Sequence, residues 1–182
     1  MKINVIIVIV TIIALSGCGG GDSNSSNSVQ SGNTNTTLTL CSNNTTITEA
    51  VATINEARSV SRTCGTTNYP ATTPLTWNSK LATAADGHSA DMATNNFLSH
   101  TGSNGSTLAD RVTAAGYPYR SAGENIAGGY STIDAVITGW LNSAGHCANI
   151  MSPDFKEYAV SCADNENSLY KTYWTQNFGS QN

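Results

Sequence analysis

The chain has 182 residues, of which 39% are hydrophobic and only 11% are charged. With 8 Lys and Arg against 12 Asp and Glu, the formal charge is -4, so the sequence offers no basic field for nucleic acid phosphates and excludes a nucleic-acid binder. The polarity comes from uncharged Ser, Thr, Asn and Gly, a composition common in exported proteins, and the length suits a single domain.

Residues 1–17 have the features of a secretory signal peptide. Lys2 precedes an apolar run over residues 5–15, which gives the charged and apolar regions of such a signal. The run is too short to span a bilayer comfortably. We therefore exclude this segment from the fold.

The end of the signal resembles the lipobox of bacterial lipoproteins. The residues there are Leu15-Ser16-Gly17-Cys18, and in the lipobox the cysteine is acylated after cleavage. Several acyl chains on one cysteine, such as palmitate, anchor a protein stably. The sequence thus predicts a lipid anchor at Cys18 and a location in the cell envelope, surface-exposed or released. Because Gly19 follows the cysteine, the outer membrane is expected if the source is Gram-negative.

Residues 18–40 are predicted to be a flexible tether after the acylated cysteine. From Gly19 to about Thr39 they are mostly Gly, Ser, Asn and Thr, with Asp22 as the only charge, so they cannot bury enough surface to fold. About 20 such residues reach roughly 25 Å. The folded domain is then predicted to cover residues 41–182.

The chain contains five cysteines, and without the acylated Cys18 an even number is left, as expected for disulfides in an exported protein. Three pairings are possible. Proximity along the chain favours Cys41–Cys64 and Cys147–Cys162. A metal site built from these cysteines is the competing interpretation, but no Cys-x-x-Cys pair supports it.

Helical periodicity dominates the first part of the domain. Thr46 and Glu49 match a capping box, and apolar residues then recur at helical spacing. Helices are predicted over residues 47–59, 78–96, 108–115 and 133–140, the last one capped by Ser131.

The end of the chain has the alternation of strands. Tyr158, Val160 and Cys162 alternate with polar residues, and so do Tyr170, Thr172 and Trp174. The polar turn over residues 164–168 joins the two runs into a hairpin. Helices followed by a hairpin indicate an α+β protein, or a sheet with helices on both faces.

Three polar residues lie where functional sites are usually found. His100 opens a glycine-rich loop over residues 101–105, and His146 follows a predicted helix. Between them, Glu124 lies in a glycine-rich segment of a chain with few charges. Loops carrying His and Glu on a rigid frame are common positions for sites. His88, on the apolar face of the longest helix, is predicted to be a core histidine.

Four ordered motifs carry a resemblance to a known family. They are Leu98-Ser99-His100, Gly123-Glu124-Asn125-Ile126-Ala127, Ser143-Ala144-Gly145-His146-Cys147-Ala148-Asn149-Ile150-Met151 and Tyr173-Trp174-Thr175-Gln176-Asn177-Phe178-Gly179. Over about residues 45–180 the chain resembles the bacterial branch of the CAP superfamily (SCP domain), which includes cysteine-rich secretory, antigen-five and pathogenesis-related proteins. The resemblance implies an α-β-α sandwich with a central antiparallel sheet flanked by helices, and a cleft lined by two His and two acidic residues.

By this resemblance, His100, Glu124 and His146 are the cleft residues, with catalytic or metal-binding roles. The position of the second acidic residue is occupied by Ser143, which removes one charge and one ligand. Two imidazoles and one carboxylate could still hold Zn²⁺ or another divalent cation with water in the open position.

Four functional interpretations follow from these residues. In the first, the chain is a binding or interaction module, and the cleft takes a small apolar ligand or a protein partner. In the second, the chain is a metal-assisted, peptidase-like hydrolase with Glu124 as base. A metal-free hydrolase would use Ser143 as nucleophile and His146 as base. In the last interpretation, the residues only organise their loops by hydrogen bonds.

Overall fold

The computed structural model describes residues 45–182. The predicted signal peptide and tether, with Cys18 and Cys41, lie outside these residues. In the described part, no helix is long and apolar enough to cross a membrane. Its elements are α1 (Ile47–Arg58), β1 (Arg62–Cys64), β2 (Thr67–Tyr69), β3 (Thr76–Trp77), α2 (Ser79–Asn95), α3 (Leu108–Ala114), β4 (Tyr119–Gly128), α4 (Ile133–Leu141), α5 (Ala144–Met151), β5 (Glu157–Asp164) and β6 (Thr172–Gln181).

The main sheet has the strand order β3-β5-β6-β4. Strand β6 is antiparallel to both β4 and β5, whereas the short β3 runs parallel to β5. Strands β1 and β2 form a separate antiparallel pair. The sheet thus confirms the α+β prediction and leaves β4 at one edge.

Helices cover both faces of this sheet. Trp174 and Phe178 of β6 belong to the core that includes residues of α1, α4 and α5. Tyr173, on the opposite face of β6, packs with Met92 of α2. Because successive strand residues point to opposite faces, β6 is buried on both sides. This layering is the predicted α-β-α sandwich.

The helix starts follow from side-chain capping. Thr46 and Glu49 form the predicted capping box at α1. The predicted cap of α4 at Ser131 is wrong, because Thr132 is the N-cap residue and its hydroxyl accepts from the Ala135 N–H. A cap bonds the N–H two or three residues ahead, which places the boundary one residue later than predicted.

The segment around Glu124 is a strand, not the predicted loop. A Cβ added at Gly123 would lie 2.6 Å from Cζ of Phe155, and one at Gly128 would lie 2.6 Å from Cγ of Tyr170. These glycines therefore make room for aromatic rings against β4, and they do not mark a turn.

The last strand extends further than its apolar pattern indicated. The predicted run began at Tyr170, but Lys171 has φ 63° and β6 begins at Thr172. The polar residues 175–177 are fully buried in β6. The sequence pattern does not indicate a strand over these residues, because burial on both faces removes the alternation of apolar and polar residues.

Both predicted disulfide pairings are wrong. Cys64 is bonded to Cys147, with 5.4 Å between their Cα atoms, and Cys162 is disulfide-bonded as well. The predicted pairings followed proximity along the chain, whereas the fold brings β1 against the start of α5. A Cβ added at Gly65 would lie only 2.8 Å from Cβ of Ala144.

Candidate functional site

Glu124 is buried at the edge of the main sheet. It lies on β4 opposite Asn177 of β6, and its side chain is only 3% exposed. It is on the face of the sheet that α2 covers, since His88 of α2 approaches within 4.0 Å of its Oε1. A carboxylate at this depth requires compensating charge and hydrogen bonds.

Both oxygens of the Glu124 carboxylate have donors. His100 donates from Nδ1 to Oε1 at 2.8 Å, and Arg111 donates from Nη2 to Oε2 at 2.7 Å. The Asn177 amide, oriented so that its oxygen accepts from the Ala85 N–H, donates to Oε2 at 3.2 Å. The arrangement is a hydrogen-bonded ion pair, which we call the Glu124 cluster (Glu124, His100, Arg111 and Asn177).

The hydrogen bond to Glu124 fixes the free nitrogen of His100. An ionised carboxylate only accepts hydrogen bonds, so Nδ1 carries the proton. The Nε2 atom of His100 is then available, on a side chain that is 58% exposed. The structure thus presents one histidine to solvent and holds it from behind with a buried carboxylate.

Arg111 of α3 also holds the loop that carries His100. Its Nη1 donates to the carbonyl of Ser106 at 2.9 Å, and its Nη2 donates to the carbonyl of His100 at 3.1 Å. One buried guanidinium thus connects the loop, α3 and β4. Sequence analysis did not single out Arg111. A signal was present, because a buried Glu in a chain with only 8 Lys and Arg needs one of these as its partner.

His146 comes to the site from the other face of the sheet, on α5. Helix α5 was not predicted, since it has only eight residues and contains Gly145. It is fixed by the disulfide at Cys147 and by buried Arg58, which donates to the carbonyls of Ile150 and Ser152. Burial lowers the pKa of Arg58 to about 10.

Asparagines connect α5 to the edge strand. Asn149 donates to the carbonyl of Glu124 at 3.2 Å and to Oδ1 of Asn125 at 2.9 Å. Asn125 in turn donates to the carbonyl of His146 at 3.2 Å. These bonds satisfy polar groups of the edge strand and hold the backbone of His146 beside it.

The ring of His146 is half-buried and lies near His100. Burial lowers the pKa of His146, and repulsion from a protonated His100 lowers it further. Among the described residues, its ring nitrogens have no hydrogen-bond partner. His146 therefore offers a neutral imidazole whose nitrogens are free to bind a ligand.

Ser143 is not set up as a nucleophile. It is the N-cap residue of α5 and its side chain makes no capping hydrogen bond. The described structure also contains no hydrogen bond between its hydroxyl and His146, which the metal-free hydrolase would need.

No group of three or more His, Cys, Asp or Glu side chains within residues 45–182 is arranged to hold a metal ion. Glu124 already uses both oxygens. The potential metal ligands are therefore the free nitrogens of His100 and His146.

His88 is buried, as predicted, but it belongs to the surroundings of this site. Its Nε2 lies 2.9 Å from the carbonyl of Ser99, which immediately precedes His100. Burial lowers the pKa of His88, and the smaller effect of Glu124 opposes this. The ring is thus a neutral support under the His100 loop.

This lowered pKa predicts a pH dependence of stability. Below about pH 6.5 the unfolded chain binds a proton at His88 that the folded chain excludes. The free energy of unfolding should therefore fall as pH falls from about 6.5 toward the folded pKa, by at most about 1.4 kcal/mol per pH unit for this histidine. In His88→Gln, which can still donate to Ser99, urea unfolding between about pH 5 and pH 7.5 should give a shallower slope. An unchanged slope would contradict this origin.

Comparison with known proteins gives the family. The model of the CAP family, described as the cysteine-rich secretory protein family, matches residues 51–178. Over 137 residues the chain is 30% identical to the uncharacterized protein YkwD of Bacillus subtilis (strain 168), covering 75% of this chain and 51% of that protein. Over 104 residues it is 36% identical to the uncharacterized membrane protein YlbC of the same organism, covering 57% and 28%.

A solved structure agrees with this assignment. An extracellular protein containing a SCP domain from Bacillus anthracis str. Ames matches with a TM-score of 0.54 and 36% identity, covering 60% of this chain and 35% of that one. The chain belongs to the cysteine-rich secretory protein (CAP) family. It spans about half of the length of YkwD and about a quarter of YlbC.

Proposed function

We propose that the chain is an extracytoplasmic binding module, anchored to the membrane by acylated Cys18, whose cleft binds a divalent cation through His100 and His146. The supporting observation is the hydrogen bond from Nδ1 of His100 to buried Glu124. Histidine ligands of metals commonly donate their second ring nitrogen to a carboxylate, which orients the ring and raises its basicity. Glu124 then acts behind the ligand and is not itself a ligand.

The same geometry favours binding over hydrolysis. A general base must contact the water from which it takes a proton, but the Glu124 side chain is only 3% exposed and each of its oxygens already accepts a hydrogen bond, from His100 or from Arg111. An acidic residue at position 143 would add a metal ligand, but this position is Ser143. The protein ligands are therefore two imidazoles. With so few protein ligands, a bound zinc ion would keep water or a partner's group in its remaining positions.

Exposed apolar side chains near this cleft support a role in recognition. Leu98, two residues before His100, is 38% exposed, and Leu169 is 76% exposed. The backbone N–H of Leu169 donates to Oδ1 of Asn96, which holds the hairpin turn against the C-terminal end of α2, four residues before His100. Such a surface suits a protein partner or a small apolar ligand.

Zinc titration by calorimetry tests the cation site. The full chain should be used with Cys18→Ser, so that this thiol does not compete. Zinc should bind with one-to-one stoichiometry, and His100→Ala or His146→Ala should abolish the binding. Glu124→Gln should weaken it by about 10–100-fold, because a neutral amide no longer raises the basicity of the His100 ring.

Glu166→Gln is the control for Glu124→Gln, because Glu166 is exposed and its Oε2 lies 3.7 Å from Nζ of exposed Lys171. The control should leave zinc affinity unchanged. Absence of zinc binding, or binding that survives both histidine substitutions, would contradict the proposed cation site.

The anchor has a separate test. The relatives include one protein described as a membrane protein and one as extracellular, which supports a location outside the cytoplasm. Cys18→Ser should move the chain from the membrane fraction to the soluble fraction, because the acyl chains supply the membrane affinity. Immunoblotting of the two fractions measures this, with Glu166→Gln at an exposed position as the control variant. Continued membrane association of Cys18→Ser would contradict lipid anchoring.

A further inference from the structure

The sequence contains a single Asn-Gly dipeptide, Asn104-Gly105. It lies in the loop that carries His100, in a turn closed by a hydrogen bond from the N–H of Gly102 to the carbonyl of Ser106 at 2.9 Å. We call residues 102–106 the Asn104 turn. Both Asn104 and Gly105 are exposed. Asparagine is thermolabile in proteins, because the backbone nitrogen of the next residue can attack its side-chain amide.

The turn itself requires glycine after Asn104. Gly105 has φ 84°, in the left-handed region that a residue with a Cβ rarely adopts. A Cβ added there would meet no atom within 4 Å, so no neighbouring group shields this residue on that side. The backbone conformation of the turn therefore places the least hindered amino acid directly after Asn104.

The hydrogen bond of the Asn104 side chain favours attack by the next backbone nitrogen. The N–H of Ser106 donates to Oδ1 of Asn104 at 2.9 Å. This is the hydrogen bond of an Asx turn, which folds the side chain back toward the backbone that follows it. A donor on the amide oxygen also stabilises the negative charge that develops there when a nucleophile adds to Cγ.

One hydrogen bond opposes the attack. The N–H of Gly105 donates to the carbonyl of Gly102 at 2.8 Å, and this bond must break before the nitrogen can react. Hydrogen bonds in exposed loops open at a small cost in free energy. The folded chain should therefore react more slowly than the urea-unfolded chain, but it should still react.

We infer that Asn104 is a site of spontaneous deamidation, with water as the only co-reactant. The nitrogen of Gly105 bonds to Cγ of Asn104, the bond between Cγ and Nδ2 breaks, and Nδ2 leaves as ammonia with the proton of the Gly105 amide. Water then opens the five-membered imide at either carbonyl, which gives aspartate or isoaspartate at position 104. This inference depends on neither cation binding nor the lipid anchor.

The isoaspartate product should loosen the loop that carries His100. Its main chain runs through Cγ and is one methylene longer, so the turn no longer matches its two ends. Those ends hold the loop in place. The N–H of Ser103 donates to Oδ2 of Asp91 at 2.8 Å, and the carbonyl of Ser106 accepts from Nη1 of Arg111 at 2.9 Å.

Both products also add a negative charge near Asp91. A Cβ added at Gly102 would lie 3.1 Å from Oδ1 of Asn104 and 3.2 Å from Oδ2 of Asp91, so these two side chains are neighbours. A carboxylate at position 104 is therefore repelled by the carboxylate that binds Ser103.

Peptide mapping by mass spectrometry, after ageing of the full chain with Cys18→Ser at mildly alkaline pH, tests this inference. Position 104 should gain the mass difference between an amide and an acid, and an isoaspartyl methyltransferase should label the same peptide. Exposed Asn167, which precedes Ser168, is the internal comparison. Asn104 should convert at least about tenfold faster than Asn167, because the Cβ of serine hinders the attack.

Two variants and one further measurement complete the test. Asn104→Gln should block the conversion, because the corresponding six-membered ring forms slowly, whereas Asn167→Gln should leave conversion at Asn104 unchanged. In the aged chain, the Ser103 amide should exchange its hydrogen at least about tenfold faster, and in aged Asn104→Gln it should not.

Absence of conversion at Asn104, or conversion no faster than at Asn167, would overturn the inference. Unchanged exchange of the Ser103 amide after conversion would also overturn it, because the modified turn would then still hold the loop.

Discussion

Glu124→Ala is expected to lower the free energy of unfolding by about 3–5 kcal/mol, because it leaves the buried guanidinium of Arg111 without its counter-ion. Arg111 is 10% exposed in its side chain and Glu124 is 3% exposed, so water cannot replace the lost partner. His100 loses its hydrogen bond at the same time. Urea unfolding monitored by tryptophan fluorescence measures the change.

A double-mutant cycle isolates the ion pair from the other effects of these substitutions. Replacing both Glu124 and Arg111 by Leu should lower the free energy of unfolding by less than the sum of the two single Leu substitutions. The reason is that the double variant leaves neither charge buried without its partner. Lys171→Leu with Glu166→Leu, at an exposed ion pair, should show almost no coupling. A cost below about 1 kcal/mol for Glu124→Ala would contradict a buried ion pair.

Removal of the Cys64–Cys147 disulfide should also greatly reduce the free energy of unfolding. The two cysteines are 83 residues apart, and in the chain-entropy model a cross-link over such a loop contributes about 4–5 kcal/mol. Cys64→Ala with Cys147→Ala should therefore reduce the free energy of unfolding by about this amount. The double substitution avoids leaving one free thiol.

This disulfide also holds α5 in place, so its loss should change the geometry of the cleft. His146 immediately precedes Cys147, and a mobile α5 would separate the two histidines. Zinc affinity should therefore fall in the double variant at temperatures where the chain is still folded. A stability loss below about 1 kcal/mol would contradict the pairing, because the cross-link closes a long loop.

The elements that could be predicted from the sequence are those with strong local signals. The capping box at Thr46 and the apolar periodicity of α2 lie within single segments, and both predicted helices are present. The β4 strand and α5 were missed for a physical reason. Gly123 is needed for contact with Phe155, and α5 is stabilised by a disulfide and by Arg58 more than by its own propensity.

The site shows the same division. The contact between His100 and Glu124 joins two residues that the sequence singled out. Asn149 and Asn177 could not be assigned in this way, since each becomes important only when the fold brings its segment to the edge strand. Glu124 indicated that a basic partner exists, but only the fold identifies Arg111 as that partner. The disulfide pairing failed for this reason too, because distance along the chain does not measure distance in the folded domain.

The most direct test of the proposed site is a crystal of the chain soaked with zinc. Anomalous density is expected beside Nε2 of His100 and a ring nitrogen of His146, while Nδ1 of His100 remains bonded to Glu124. Absence of ordered zinc at these two histidines, or zinc bound directly to the carboxylate of Glu124 in place of Arg111, would contradict the proposed arrangement.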